Sequence, residues 1–206
     1  FVAYSHNQES FKFLMDPMLS HGHEKISAMG YGAAINALSD HEGGMAKYFS
    51  QRFAQVTNPP LDSIREQQGM TLRVALGNKP KFGGWHTKQI VIESPILNKT
   101  YFEKLCYQEE VKVNPFEMTF KPVLKDNEKT KQSLVSSINR LSEDVCAFAK
   151  RSGGIALLSD LAISKECAPI PMILAVSAVN QALIDNGLGM NVSLVLETGQ
   201  VSSSHH

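Results

Sequence analysis

The chain has 206 residues, with 43% hydrophobic and 19% charged residues. That is globular composition and excludes wholesale disorder. Lys plus Arg equals Asp plus Glu at 20 each. Without a net basic field, a nucleic-acid or anionic-membrane surface is not expected. No apolar run reaches the length of a bilayer span, and Ile170–Ile184 reads as a core helix. The chain begins with Phe1 rather than Met and shows no signal-peptide pattern, so it reads as a segment of a longer polypeptide. Cys106, Cys146 and Cys167 are odd in number and far apart. They suggest neither a disulfide framework nor a clustered metal or iron–sulfur site, and they fit a reducing, cytoplasmic compartment.

The first half, to about Pro115, is punctuated by Gly and Pro. Phe11, Leu14, Met15, Met18 and Leu19 repeat at helical spacing, with Asn7 as cap, a break or kink expected at Pro17, and a stop at His21-Gly22-His23. A loop through Met29–Gly32 precedes a helix predicted over Met45–Val56. Asn58-Pro59-Pro60 should end it in a rigid turn, and Asp62 should cap the next helix. Met70, Leu72, Val74 and Leu76 alternate, so that helix either ends early or runs into a short strand. Ile90-Val91-Ile92 is a further short strand.

From Phe116 onward the pattern reads β, α, β, α, β. The predicted strands are Phe116–Phe120, Ile155–Leu158 and Val192–Leu196, whose starts lie 39 and 37 residues apart. Leu134, Ile138, Leu141, Val145 and Phe148 form one apolar stripe, with Cys146 beside it as a small core residue. Met172, Val176, Val179 and Leu183 form another, opened by Pro169-Ile170-Pro171. This beat predicts adjacent parallel strands with both helices on one side, in a doubly wound sheet or part of a (βα) barrel.

In such units ligands bind at the carboxyl ends of the strands. Those ends carry Ser159, Asp160, Glu197 and Thr198, which form a ligand rim. The plainer reading is that these residues cap helices and close loops. No catalytic, cofactor-binding or metal-binding residue is identified otherwise. His21 and His23 lack further ligands, and Gly30-Tyr31-Gly32 is too short a match for a phosphate loop. No nucleophile elbow, triad spacing or cysteine nucleophile signature is present.

The strings Tyr48–Glu66, Leu157-Leu158-Ser159-Asp160 with Ala168–Pro171 and Leu174–Val176, and Val192–Gly199 with His205-His206 resemble the signatures of the glutamate synthase large subunit. Ser27–Gly30 and Glu93–Leu97 are smaller matches in the same order. The resemblance covers nearly the whole chain and points to the family's central domain, between the glutaminase and FMN-binding domains. It implies an α/β fold of parallel βα repeats. That fold is an incomplete, (βα) barrel-like domain over residues 1–206, with an irregular helical part, 1–115, and a regular βαβαβ part, 116–206. It also implies a domain-coupling segment with no active site, in an enzyme that makes glutamate from glutamine and 2-oxoglutarate and so assimilates ammonia. FMN and an iron–sulfur cluster belong to the neighbouring domain, so this segment should hold no cofactor. Its partners should be the glutaminase and FMN-binding domains, not nucleic acid or membrane. The chain departs from the family pattern at Tyr31-Gly32, Ser63, Leu161 and Asn180-Gln181-Ala182, which marks it as divergent. The match also favours native His205-His206 over a tag remnant. The competing readings are a stand-alone βα ligand-binding module using the rim and an interaction module derived from the same domain.

Overall fold

The structure is a computed structural model that describes residues 1–24, 61–80 and 88–203, together with positions 45, 49 and 206. The predicted helix over Met45–Val56, apart from positions 45 and 49, the Met29–Gly32 loop and the Asn58-Pro59-Pro60 turn lie outside the described residues.

The centre is an open three-stranded parallel sheet in the order β3-β5-β7, from Val113–Glu117, Gly154–Ser159 and Val192–Glu197. β5 is central and buried on both faces, which explains its unbroken apolar run Ile155-Ala156-Leu157-Leu158. Pro115 cannot donate to a ladder, and it sits on the edge strand β3. Each of the first two sheet strands is followed by a helix that returns to the next strand. α4 spans Asn127–Arg151 and α5 spans Met172–Asp185. Both helices pack on the same face of the sheet, as right-handed crossovers require when strand order progresses. Their stripes meet Ala156, Leu158 and Val192 in one core, with the Phe116 and Phe148 rings edge to face at 5.8 Å.

The opposite face is covered from the first half of the chain. β1 (Val74–Gly77) and β2 (Gln89–Ile92) form an antiparallel hairpin, so the alternation from Met70 to Leu76 resolves into a strand, after α2 (Ser63–Gly69) has ended. Leu76 joins Ile155, Val111 and Leu105 in a second, smaller core. Leu105 comes from α3 (Lys99–Tyr107), a helix that the apolar pattern does not announce. The hairpin is stitched to the sheet by Ser193, whose hydroxyl accepts from the Gly77 N–H at 3.1 Å and donates to the Gly77 carbonyl at 3.0 Å.

Local signals set the element ends. The Asp62 carboxylate accepts from the N–H groups of Ile64 and Arg65 and caps α2. Asn98 and Asp126 do the same for α3 and α4. α4 stops at Gly153 and Gly154, both with positive φ. A Cβ on Gly154 would lie 2.4 Å from the Lys112 carbonyl oxygen, so only glycine admits that strand entry.

Two local expectations change. Pro17 does not break its helix. A π-helical stretch, Ser10–Met15, continues without interruption into α1, Asp16–His21, which carries Pro17 in its first turn and ends at Gly22. The wider turn relieves the clash and the missing N–H that proline brings to a regular helix. Asn7 Oδ1 accepts from the Ser10 N–H at 2.8 Å at its start. The predicted strand Phe116–Phe120 is two strands. β3 ends at Glu117, and β4 (Thr119–Phe120) pairs antiparallel with β6 (Ala168–Pro169). Met118, fully buried, is the pivot. Its N–H donates to the Ser159 carbonyl and its own carbonyl accepts from the Ile170 N–H.

Candidate functional site

Parallel register decides how the four rim residues meet. Ser159 is the direct partner of Glu197, and side chains directly opposite share a face. The next residues, Asp160 and Thr198, point to the other face. Two rungs result. Ser159 Oγ donates to Glu197 Oε2 at 2.7 Å. Thr198 Oγ1 donates to Asp160 Oδ2 at 2.5 Å. The structure therefore brings all four predicted residues together at the carboxyl end of the sheet.

Asp160 is the centre of the second rung and has no solvent exposure. A buried carboxylate is costly unless its oxygens accept hydrogen bonds. Here Oδ2 accepts from Thr198 and from Gln200 Nε2 at 3.0 Å, and the Gly199 N–H approaches Oδ1 at 3.4 Å. Gln200, which the sequence reading missed, uses its whole amide. Nε2 also donates to the Ile170 carbonyl, and Oε1 accepts the Met172 N–H. It thereby caps α5, whose preceding residue, Pro171, offers no side-chain cap.

The N-terminal segment lies over this turn. Tyr4 donates its hydroxyl to the Asp160 carbonyl at 3.4 Å, and His6 Nε2 donates to the Gly199 carbonyl at 2.8 Å. The Tyr4 ring sits where a side chain on residue 199 would go, since a Cβ there would be 2.5 Å from two ring carbons. Burial, and then the Asp160 carboxylate, push the Tyr4 phenol above its ordinary value. Neither Tyr4 nor His6 carried a signal in the sequence, because both reach the rim from more than 150 residues away.

The arrangement is closed rather than receptive. Among the described residues no buried side-chain nitrogen or oxygen lacks a hydrogen-bond partner. No group of three or more His, Cys, Asp or Glu side chains is placed to hold a metal there either. The three cysteines are free, with Cys106 on α3, Cys146 on α4 and Cys167 in the loop before β6. Burial and the nearby Glu197 and Glu103 carboxylates raise the Cys106 thiol, and burial raises that of Cys146. These residues do not fit an iron–sulfur cluster, whose thiolates must converge. No helix among the described residues is long and apolar enough to cross a membrane.

The class these features define is an open α/β domain of two βαβ units, backed by a hairpin and closed at its carboxyl rim by its own side chains. The chain belongs to the glutamate synthase central domain family, whose model matches residues 1–206. It is 34% identical over 98% of its length to ferredoxin-dependent glutamate synthase of Spinacia oleracea, and 33% identical over its whole length to that of Cyanidium caldarium. It is 30% identical over 99% of its length to the glutamate synthase [NADPH] large chain of Bacillus subtilis. In each case it spans 13% of the relative's length.

Proposed function

We propose that this domain is the central, domain-coupling segment of a glutamate synthase, joining a glutaminase domain to an FMN-binding domain and holding no active site or cofactor of its own. The whole enzyme would form glutamate from glutamine and 2-oxoglutarate and so assimilate ammonia, with FMN and an iron–sulfur cluster in the neighbouring domain. The observation that carries the reading is the Asp160 rung. The place where a βα domain of this kind would receive a ligand is taken up by Thr198, Gly199, Gln200 and Tyr4 of the same chain. Free thiols support a reducing compartment, the cytoplasm, although several relatives are named as chloroplastic.

Two measurements test this. The purified chain should show neither glutamine hydrolysis nor glutamate formation and should copurify with no flavin; turnover or stoichiometric flavin would overturn it. In the full-length large chain, Asp160→Ala should raise the ratio of glutamine consumed to glutamate formed. An unchanged ratio in a folded variant would remove the coupling role.

A further inference from the structure

A second polar concavity lies apart from the closed rim, between α4 and the β4–β6 ribbon. It encloses about 230 Å³, several times the roughly 30 Å³ occupied by one water. That is room for a molecule of amino-acid size. Ser133, Ser137 and Arg140 face it from α4, at spacings of four and three that put them on one side of the helix. Lys121 and Glu117 line the opposite wall with Thr119.

The charges here are not satisfied as those of the rim are. Neither Lys121 nor Arg140 has an ion-pair partner among the described residues, where the ion pairs are Arg65–Asp62, Arg73–Glu93 and Lys129–Asp126. The half-buried Ser137 hydroxyl likewise has no hydrogen-bond partner among the described residues. Meanwhile the walls are fixed. Ser133 Oγ donates to the Lys121 carbonyl at 2.7 Å, and the buried Thr119 hydroxyl donates to Glu117. Exposed cations without ion pairs among the described residues, beside a hydroxyl without a partner there, in a concave site, fit an oxyanion head group.

Charge and geometry narrow the ligand. The cleft carries two cations and one carboxylate, so a zwitterion can pair its carboxylate with the cations and its ammonium with Glu117, whereas a phosphate dianion offers nothing to the Glu117 charge. The planar Arg140 guanidinium matches a carboxylate in two-point fashion. Glu117 offers an acceptor for a cationic group on the same ligand. We propose that this cleft binds the carboxylate of a small amino acid, held by Arg140, Lys121 and Ser137, with its ammonium directed to Glu117. This goes beyond the coupling role and does not rest on it.

The test is an amide chemical-shift titration of the full chain with L-alanine, propionate and inorganic phosphate. Alanine and propionate differ only in the ammonium group. The expected result is saturable shifts at Lys121, Ser133, Ser137 and Arg140 with both carboxylates, alanine binding several-fold tighter than propionate and phosphate weakest. Arg140→Gln should weaken alanine binding at least tenfold, and Glu117→Gln should abolish the advantage of alanine over propionate. Arg140 is exposed, so its replacement leaves the fold intact and the loss is interpretable. No saturable shift at millimolar alanine, equal binding in Arg140→Gln, or phosphate tighter than propionate would each overturn the proposal.

Discussion

Replacing Asp160 with alanine removes the acceptor around which the carboxyl end of the sheet is arranged. Thr198 loses the partner of its hydroxyl, and Gln200 loses one of the two acceptors of its amide nitrogen. A stranded buried donor costs about 1–3 kcal/mol, and hydrogen bonds to a charged group contribute about 1.5–3 kcal/mol each. Relief of the carboxylate's desolvation offsets part of this. The vacated space adds on the order of 1 kcal/mol. The net loss is about 3 kcal/mol, which for a domain of this size lowers Tm by roughly 6–12 °C. Thermal and urea melts of the wild type and Asp160→Ala measure it. A cycle with Thr198→Val should show a coupling of about 1–2 kcal/mol, since the two groups touch. A Tm shift under about 2 °C with no coupling would refute the reasoning. A stabilised Asp160→Ala would mean more, because a carboxylate kept at the expense of stability is kept for binding.

Two further outcomes follow from the same geometry. Gly199→Ala should push the Tyr4 ring aside, speed amide exchange at Tyr4 and His6, and bring the Tyr4 phenol back toward its ordinary value; unchanged exchange would show that the N-terminal segment does not dock there. The Asp126 carboxyl is held below the ordinary aspartate value, chiefly by the Lys129 backbone N–H and then by the Lys129 side chain. Because the folded value is the lower one, the stabilisation by this cap is present above the unfolded aspartate's pKa of about 3.9 and is lost as pH falls through the folded value. A carbon-detected titration of Asp126 should give a midpoint below that of a free aspartate, and Lys129→Ala should move it only part of the way back. A midpoint at or above the free value would contradict the cap.

The sequence displays α4, α5, β5 and β7 because each buries a long, regular stripe or an unbroken apolar run, and such periods survive any detail of packing. It hides the end of β3 because the strand break at Met118 is a tertiary event. The chain leaves β5 as partner there and takes up β6, about fifty residues on, with no local residue to mark the change. α3 escapes notice because it fully buries only Leu105, and its aromatic residues Tyr101 and Tyr107 are exposed instead of forming a buried stripe. Of the rim, Ser159, Asp160, Glu197 and Thr198 are legible as strand ends. Gln200 is not, since its role depends on α5 starting beside it without a cap of its own. Tyr4 and His6 are not, since no sequence pattern reports contact between the two ends of a chain.

The distribution of satisfied and unsatisfied polar groups separates the carboxyl rim from the α4 cleft. A parallel sheet ends in loops whose polar groups converge, and in a binding protein they remain available to the ligand. At the Asp160 rung the chain itself has taken them. Any ligand there would have to displace Thr198, Gln200 and the N-terminal segment together, and its affinity would be reduced by the full cost of breaking those bonds. Beside α4 nothing has to be displaced, since Lys121, Ser137 and Arg140 stand without partners among the described residues. At the carboxyl rim, then, a ligand would compete with the chain's own side chains, whereas at the α4 cleft it would not.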